Sequence, residues 1–211
     1  MESTNITVII IILTAITSIL AFNNAMMKGA SLFYPYLVKK HGEWHRFLTS
    51  GFVHADWLHL AVNMYVLYMF GDILEKYLLP AYFHQKAKLI FLIIYIGGMI
   101  VADIPSYIKH RNDPSYRSLG ASGAVSAIVF AGILINPWQG GIGLLFLPGI
   151  MLPPVVFGVL YLIFTVYMSR RQMDNVNHDA HLFGALFGFV LPGIIKPEIF
   201  QSFFDQIFSK L

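Results

Sequence analysis

Long apolar runs separated by short polar stretches make up most of the chain, and runs of this length predict helices rather than strands. The first covers residues 6–22; its Thr14, Thr17 and Ser18 can bond back to the helix that contains them. The second, 57–79, follows Asp56, a residue suited to cap it, and carries His59, Asn63, Leu67, Gly71 and Glu75 at every fourth place, stacked on one face. A third, 87–104, contains Gly97-Gly98, where a neighbouring helix can come close. The fourth opens at Gly120-Ala121-Ser122-Gly123 and is stopped by Asn136-Pro137. Residues 140–152 are apolar but broken by glycines and Pro148, and Pro153-Pro154 separates them from a fifth run, 154–168, that ends in Ser169-Arg170-Arg171. The sixth, 180–195, follows Asn177-His178-Asp179 and shows a small-residue ridge, Ala180, Gly184 and Gly188, with His181 on the same face.

The fourth run is short. A helix over residues 122–136 rises about 22 Å, against a hydrocarbon core of about 30 Å, so one of its ends must lie below the membrane surface. The preceding loop, 105–119, carries Lys109, His110, Arg111, Asn112, Asp113 and Arg117, too polar to stand bare in lipid. The end holding Ser122 is therefore expected in a water-filled, protein-lined cavity. A hydroxyl at a helix start, beside unpaired N–H groups, suits a nucleophile whose reaction develops an oxyanion.

Two segments read as interfacial. Residues 23–55 mix Phe33, Tyr34, Tyr36, Trp44 and Phe47 with Lys28, Lys39, Lys40 and Arg46, which predicts short helices at headgroup level. After Pro197 the tail places Ile199, Phe200, Phe203, Phe204, Ile207, Phe208 and Leu211 opposite Glu198, Gln201, Ser202, Asp205 and Gln206, an amphipathic helix too short to span. The expected organisation is an all-α, polytopic membrane protein: a six-helix domain over residues 1–197 and an interfacial amphipathic tail over 198–211.

Composition agrees with that class. The 211 residues are 57% hydrophobic and 12% charged, with mean hydropathy +0.66. A net charge of +3 and a pI near 9.0 are spread over the connecting loops without forming a stripe, which argues against nucleic acid as a partner. With no cysteine there is no thiol nucleophile and no Cys-ligated zinc. Glu2 precedes the first run and no A-x-A-like site follows it, so no cleavable signal peptide is expected.

Four polar residues inside or at the head of the apolar runs remain to be explained: His59, Asn63, Ser122 and His181. Taken singly, a histidine in a span is often a satisfied core residue and a serine in a small-residue helix is usually structural. Taken together, on helices two, four and six, they supply a nucleophile (Ser122), a base (His181) and two donors for a tetrahedral oxyanion (His59 and Asn63). Asp179 suggests itself as a third member, but two residues before His181 it points elsewhere on the helix, and capping is its expected role. Other intramembrane chemistries leave different marks. A zinc protease wants H-E-x-x-H on a helix, whereas His41-Gly42-Glu43-Trp44-His45 has its Glu one place off and lies in a loop. Asp56, Asp72, Asp103 and Asp179 sit at span ends or ordinary polar positions rather than as an intramembrane pair, and the two halves lack the matched broken helices of a transporter.

These motifs resemble the rhomboid family of intramembrane serine proteases. The matching residues are His54, His59 and Asn63 in H-x-x-x-x-H-x-x-x-N, Gly120 to Gly123 in G-x-S-G, and Ala180, His181, Gly184 and Gly188 in A-H-x-x-G-x-x-x-G, in order over residues 43–191. The resemblance implies a Ser122–His181 dyad, an oxyanion site of His59, Asn63 and the Ser122 N–H, and no metal or cofactor. It implies single-span membrane proteins as substrates within the lipid bilayer, a fifth helix and following loop that move to admit them, and a bacterial inner membrane with the site opening to the extracytoplasmic side. The excess of Lys and Arg on the loops this topology puts outside runs against the positive-inside rule. Two positions depart from the family pattern. Trp44 and Arg46, adjacent in most members, are split by His45. Ser126 stands four residues after the nucleophile, where many members carry Phe or Tyr stacked on the catalytic imidazole, so His181 must be oriented by other means, such as a hydrogen bond. Those departures motivate an alternative of another class, a catalytically silent rhomboid-like protein that binds or escorts membrane helices.

Overall fold

The structure, a computed structural model, describes residues 5–144, 147–171 and 176–210. Among the described residues six long helices form the body: α1 (Ile6–Phe22), α5 (Trp57–Ile73), α7 (Ala87–His110), α8 (Ser122–Ile135), α9 (Pro154–Arg171) and α10 (His178–Ile195). Between α1 and α5 the chain makes three short helices, α2 (Ala25–Ser31), α3 (Pro35–His41) and α4 (Arg46–Thr49), as the mixed aromatic and basic composition predicts. A π-helical turn, Leu74–Leu78, carries α5 into α6 (Leu79–Phe83), and α11 (Glu198–Phe208) closes the described chain. The glycine-broken segment after α8 forms an antiparallel hairpin, β1 (Ile142–Leu144) and β2 (Leu147–Leu152), pairing Ile142 with Leu152 and Gly143 with Met151. Leu145, Phe146 and the tail's Leu211, which were part of the apolar patterns above, lie outside the described residues.

α8 is the axis of the bundle. Every residue in it except Ser122 and Gly132 is buried, because it is apolar on all sides and α5, α7, α9, α10 and α11 pack around it. The outward faces of the surrounding helices are also apolar. Ile12, Leu13, Ile16 and Leu20 of α1 and Val159, Leu160, Ile163 and Phe164 of α9 are exposed, whereas Thr7, Thr14, Ser18, Glu75 and Asp103 are buried. Apolar outside and polar within is the arrangement a lipid solvent selects.

Local polar ties set the helix ends. Asp56 caps α5 as expected, accepting from the His59 N–H at 2.8 Å. Glu75 accepts from the N–H groups of Ile6 and Thr7 and from the Thr7 hydroxyl, each at 2.8 Å, so its carboxylate caps α1 from another helix. The far end of the stripe that begins at His59, Gly71 of α5 and Glu75 of the π-helical turn, therefore serves α1: a β-carbon on Gly71 would meet Thr7 Cγ2 at 2.8 Å. The split of Trp44 from Arg46 does not loosen the first loop. Arg46 is buried and donates to Glu43 and to the carbonyls of Gly29 and Leu32, while Trp44 packs on Phe47 and Tyr107. α11 turns Ile199 and Phe203 inward; Gln206 Nε2 donates to the Ile135 carbonyl and Trp138 Nε1 to the Gln206 carbonyl, which ties the tail to the C-terminal end of α8.

Candidate active site

The chain entering α8 is held on both sides. Ser118 pairs through its backbone with Phe33, the Gly120 N–H donates to the Ser50 carbonyl at 2.9 Å, and the Ala121 N–H donates to His54 Nε2 at 3.3 Å. Gly120 has φ +116°, where a side chain is strained, and the imidazole of His59 occupies the space a β-carbon would need, with Cε1 2.7 Å and Nε2 2.9 Å from that position. Ser122 follows as the first residue of α8, half-buried, in the turn whose N–H groups have no acceptor within the helix.

His54 is fully buried, and its protonation follows from its contacts. Nε2 accepts the Ala121 N–H, so the ring proton sits on Nδ1 and is donated to Ser18 Oγ at 2.9 Å; that hydroxyl donates in turn to the Phe52 carbonyl at 3.0 Å. Burial and then the neighbouring His59 push the His54 imidazole down to about 3, so it stays neutral. Its role is to hold the residue before Ser122. Asn63, one turn beyond His59, is buried, and its Nδ2 donates to the His59 carbonyl at 2.9 Å.

His181 lies in the first turn of α10. Asn177 caps that helix, its side chain accepting from the Ala180 N–H at 3.1 Å, and this corrects the expectation that Asp179 is the cap. Asp179 instead accepts from Ser169 Oγ at the end of α9 and lies 4.0 Å from Lys109. The small-residue ridge of α10 meets the backbone of α8. A β-carbon on Gly184 would lie 2.2 Å from the Gly123 carbonyl oxygen, and one on Gly123 would lie 3.4 Å from the Ala180 carbonyl oxygen. Ser122 and His181 are the chain neighbours of Gly123 and Ala180, so the two helices meet backbone to backbone at the turns that carry them.

Against Ser122 lies a cavity of about 20 Å³, room for about one water, lined by Ser50, Asp103, Ser118, Gly120, Ser122 and Asn177 among others. Asp103 escaped the sequence reading, which took it for a span-end residue. It is 8% exposed and follows Ala102, whose Cβ would be 2.5 Å from a β-carbon on Gly123. The signal for it was the spacing Gly98, Ala102, Ser106, a small-residue stripe along α7 with Asp103 beside it. Tyr161 of α9 was missed as well. Its ring lies parallel to His181, 5° between planes and 6.4 Å between centroids, and its hydroxyl is 2.7 Å from Ser126 Oγ. An aromatic ring from another helix thus faces the imidazole, and Ser126 is bonded to the hydroxyl that ring carries.

Comparison with known proteins identifies the family. The family model of the Rhomboid domain matches residues 41–198. The chain is 29% identical over 168 residues to "Rhomboid-like protein 11, chloroplastic" of Arabidopsis thaliana, covering 76% of this chain and 56% of that protein. It is 31% identical over 150 residues to "Putative rhomboid protease YdcA" of Bacillus subtilis (strain 168), covering 71% and 66%. It is also 31% identical over 144 residues to the human "Presenilin-associated rhomboid-like protein, mitochondrial", covering 67% and 35%. The matched segment spans between about a third and two thirds of the length of these relatives. Since the domain match takes in His54, His59, Asn63, Ser122 and His181 and most of the six-helix body around them, this chain belongs to the rhomboid family.

Proposed function

We propose that the protein is an intramembrane serine endopeptidase that cleaves membrane proteins in or near their transmembrane segments through a Ser122–His181 dyad. The observation that carries this reading is the backbone contact of Gly184 with Gly123, which sets the turn holding the hydroxyl beside the turn holding the imidazole. In the proposed reaction His181 takes the proton from Ser122 Oγ as that oxygen bonds to the scissile carbonyl carbon. The negative oxygen of the tetrahedral intermediate receives hydrogen bonds from the Ser122 N–H, His59 and Asn63. Collapse breaks the C–N bond, and His181 returns the proton to the leaving amine. Water then attacks the acyl-enzyme carbonyl and gives one proton to His181; collapse breaks the ester C–O bond, and His181 passes that proton to Ser122 Oγ as the new carboxyl end leaves.

The half-buried placement of Ser122 at a short helix, next to a cavity of water size, supports delivery of water to a site within the bilayer. Single-span membrane proteins in a bacterial inner membrane, with the site opening to the extracytoplasmic side, are the substrates and setting we assign by family likeness. Since the chain has no cysteine, single cysteines introduced in the loops would report orientation without background.

The test is labelling of the detergent-solubilised protein with a fluorophosphonate, together with cleavage of a panel of single-span proteins. The wild type is expected to label and cleave, and Ser122→Ala to do neither. Equal labelling of the Ala variant would remove Ser122 as nucleophile. A folded wild type that neither labels nor cleaves would favour a silent helix-binding protein.

A further inference from the structure

We infer that Tyr161 is a positioning residue for His181, supplied by α9 and held in place by Ser126 of α8. This deepens the proteolytic reading and rests on it. Ser126 lies one turn after Ser122 on the same face of α8, and its side chain is too short to cover the imidazole. Its hydroxyl is instead engaged by the Tyr161 hydroxyl at 2.7 Å. The Tyr161 ring packs on Phe130 of α8, centroids 5.5 Å apart, and on Phe157 of α9, 5.8 Å apart. With its hydroxyl bonded and two phenyl rings against it, the ring presents a set face to His181 in an offset stack.

Two consequences follow for the base. A parallel ring restricts rotation of the imidazole about its last side-chain bond, which keeps the nitrogen aimed while it takes and returns the proton. Moreover, the orienting group sits on α9, whose buried residues are few and whose outer face is exposed and apolar. Outward displacement of α9 would break the Ser126 bond and the stack on His181 together, so the alignment Tyr161 gives the base lasts while α9 rests against α8.

The experiment measures kcat and KM for a cleaved single-span substrate with wild type, Tyr161→Leu, Tyr161→Phe, Ser126→Ala and the Ser126→Ala/Tyr161→Phe double variant. Tyr161→Leu is expected to lose about tenfold to a hundredfold in kcat, the scale of a slightly misplaced catalytic group, with KM within about twofold. Tyr161→Phe keeps the ring and is expected to recover most of that loss. Ser126→Ala and Tyr161→Phe break the same bond, so the double variant should be no slower than either single change. A Leu variant within about twofold of wild type in kcat, or a Phe variant as slow as Leu, would overturn the assignment. If Leu does not fold, strict additivity of the two conservative changes overturns it instead. An inactive wild type would count against the protease reading itself, whereas an active wild type with indifferent Tyr161 variants would count against this inference alone.

Discussion

A β-carbon on Gly188 would lie 2.0 Å from the carbonyl oxygen of Ala127, so the backbones of α10 and α8 touch there with no room for a side chain. Gly188→Ala must push the two helices apart, at a cost of at least about 1–3 kcal/mol. Gly132→Ala on α8 is the control, because its β-carbon would meet only Leu78 Cδ1, at 3.9 Å, and a helical alanine is favoured over glycine by about 1 kcal/mol. Thermal unfolding in detergent should show a clear fall for the first variant and none for the second.

Asn63 tests the oxyanion assignment. Its amide spends one N–H on the His59 carbonyl and keeps a second to donate. Losing a fully engaged oxyanion donor costs about a hundredfold to a thousandfold in kcat, and overlap with His59 should make Asn63→Ala milder than that. Residual turnover well above the Ser122→Ala blank is the expected result of a kinetic assay; turnover equal to the blank would show the role misassigned.

His54 predicts a dependence of stability on pH. It is faced by the Ser18 hydroxyl from α1, the Ala121 N–H ahead of α8, and His59 and Asp56 at the start of α5. Its imidazole is held near 3 when folded against an ordinary 6.5, so between these values the unfolded chain binds the extra proton. The stability His54 contributes is complete above pH 6.5 and declines as pH falls toward 3. His54→Gln keeps an acceptor for Ala121 and a donor for Ser18 without titrating. Unfolding midpoints measured between about pH 4 and pH 7 should therefore slope less for the variant than for the wild type.

Asp179 is bonded to Ser169 and lies near Lys109, joining the ends of α9 and α7. Asp179→Asn keeps a partner for Ser169 and is expected to leave kcat within about threefold of wild type. As the acid of a triad, the same change would cost about 10⁴-fold. Comparing kcat of the two proteins at saturating substrate separates these outcomes.

Periodicity and composition alone located the six long helices, the short helices of the first loop, the Asp56 cap and the polar residues that no lipid-facing helix would carry, but not every end: α7 runs through Pro105 to His110, where a polar loop from 105 was expected. These are local properties: apolar run length, i, i+4 spacing and glycine placement act within a few turns of chain. Family motifs then singled out Ser122, His181, His59 and Asn63. What only the tertiary structure decided were the partners between helices. Glu75 caps a helix 68 residues away, Asn177 rather than Asp179 caps α10, Asp103 lines the cavity against Ser122, and the Tyr161 ring lies parallel to His181. Such pairings depend on the rotation and depth at which two helices pack, set by side chains far apart in the chain, and no spacing within one helix records them.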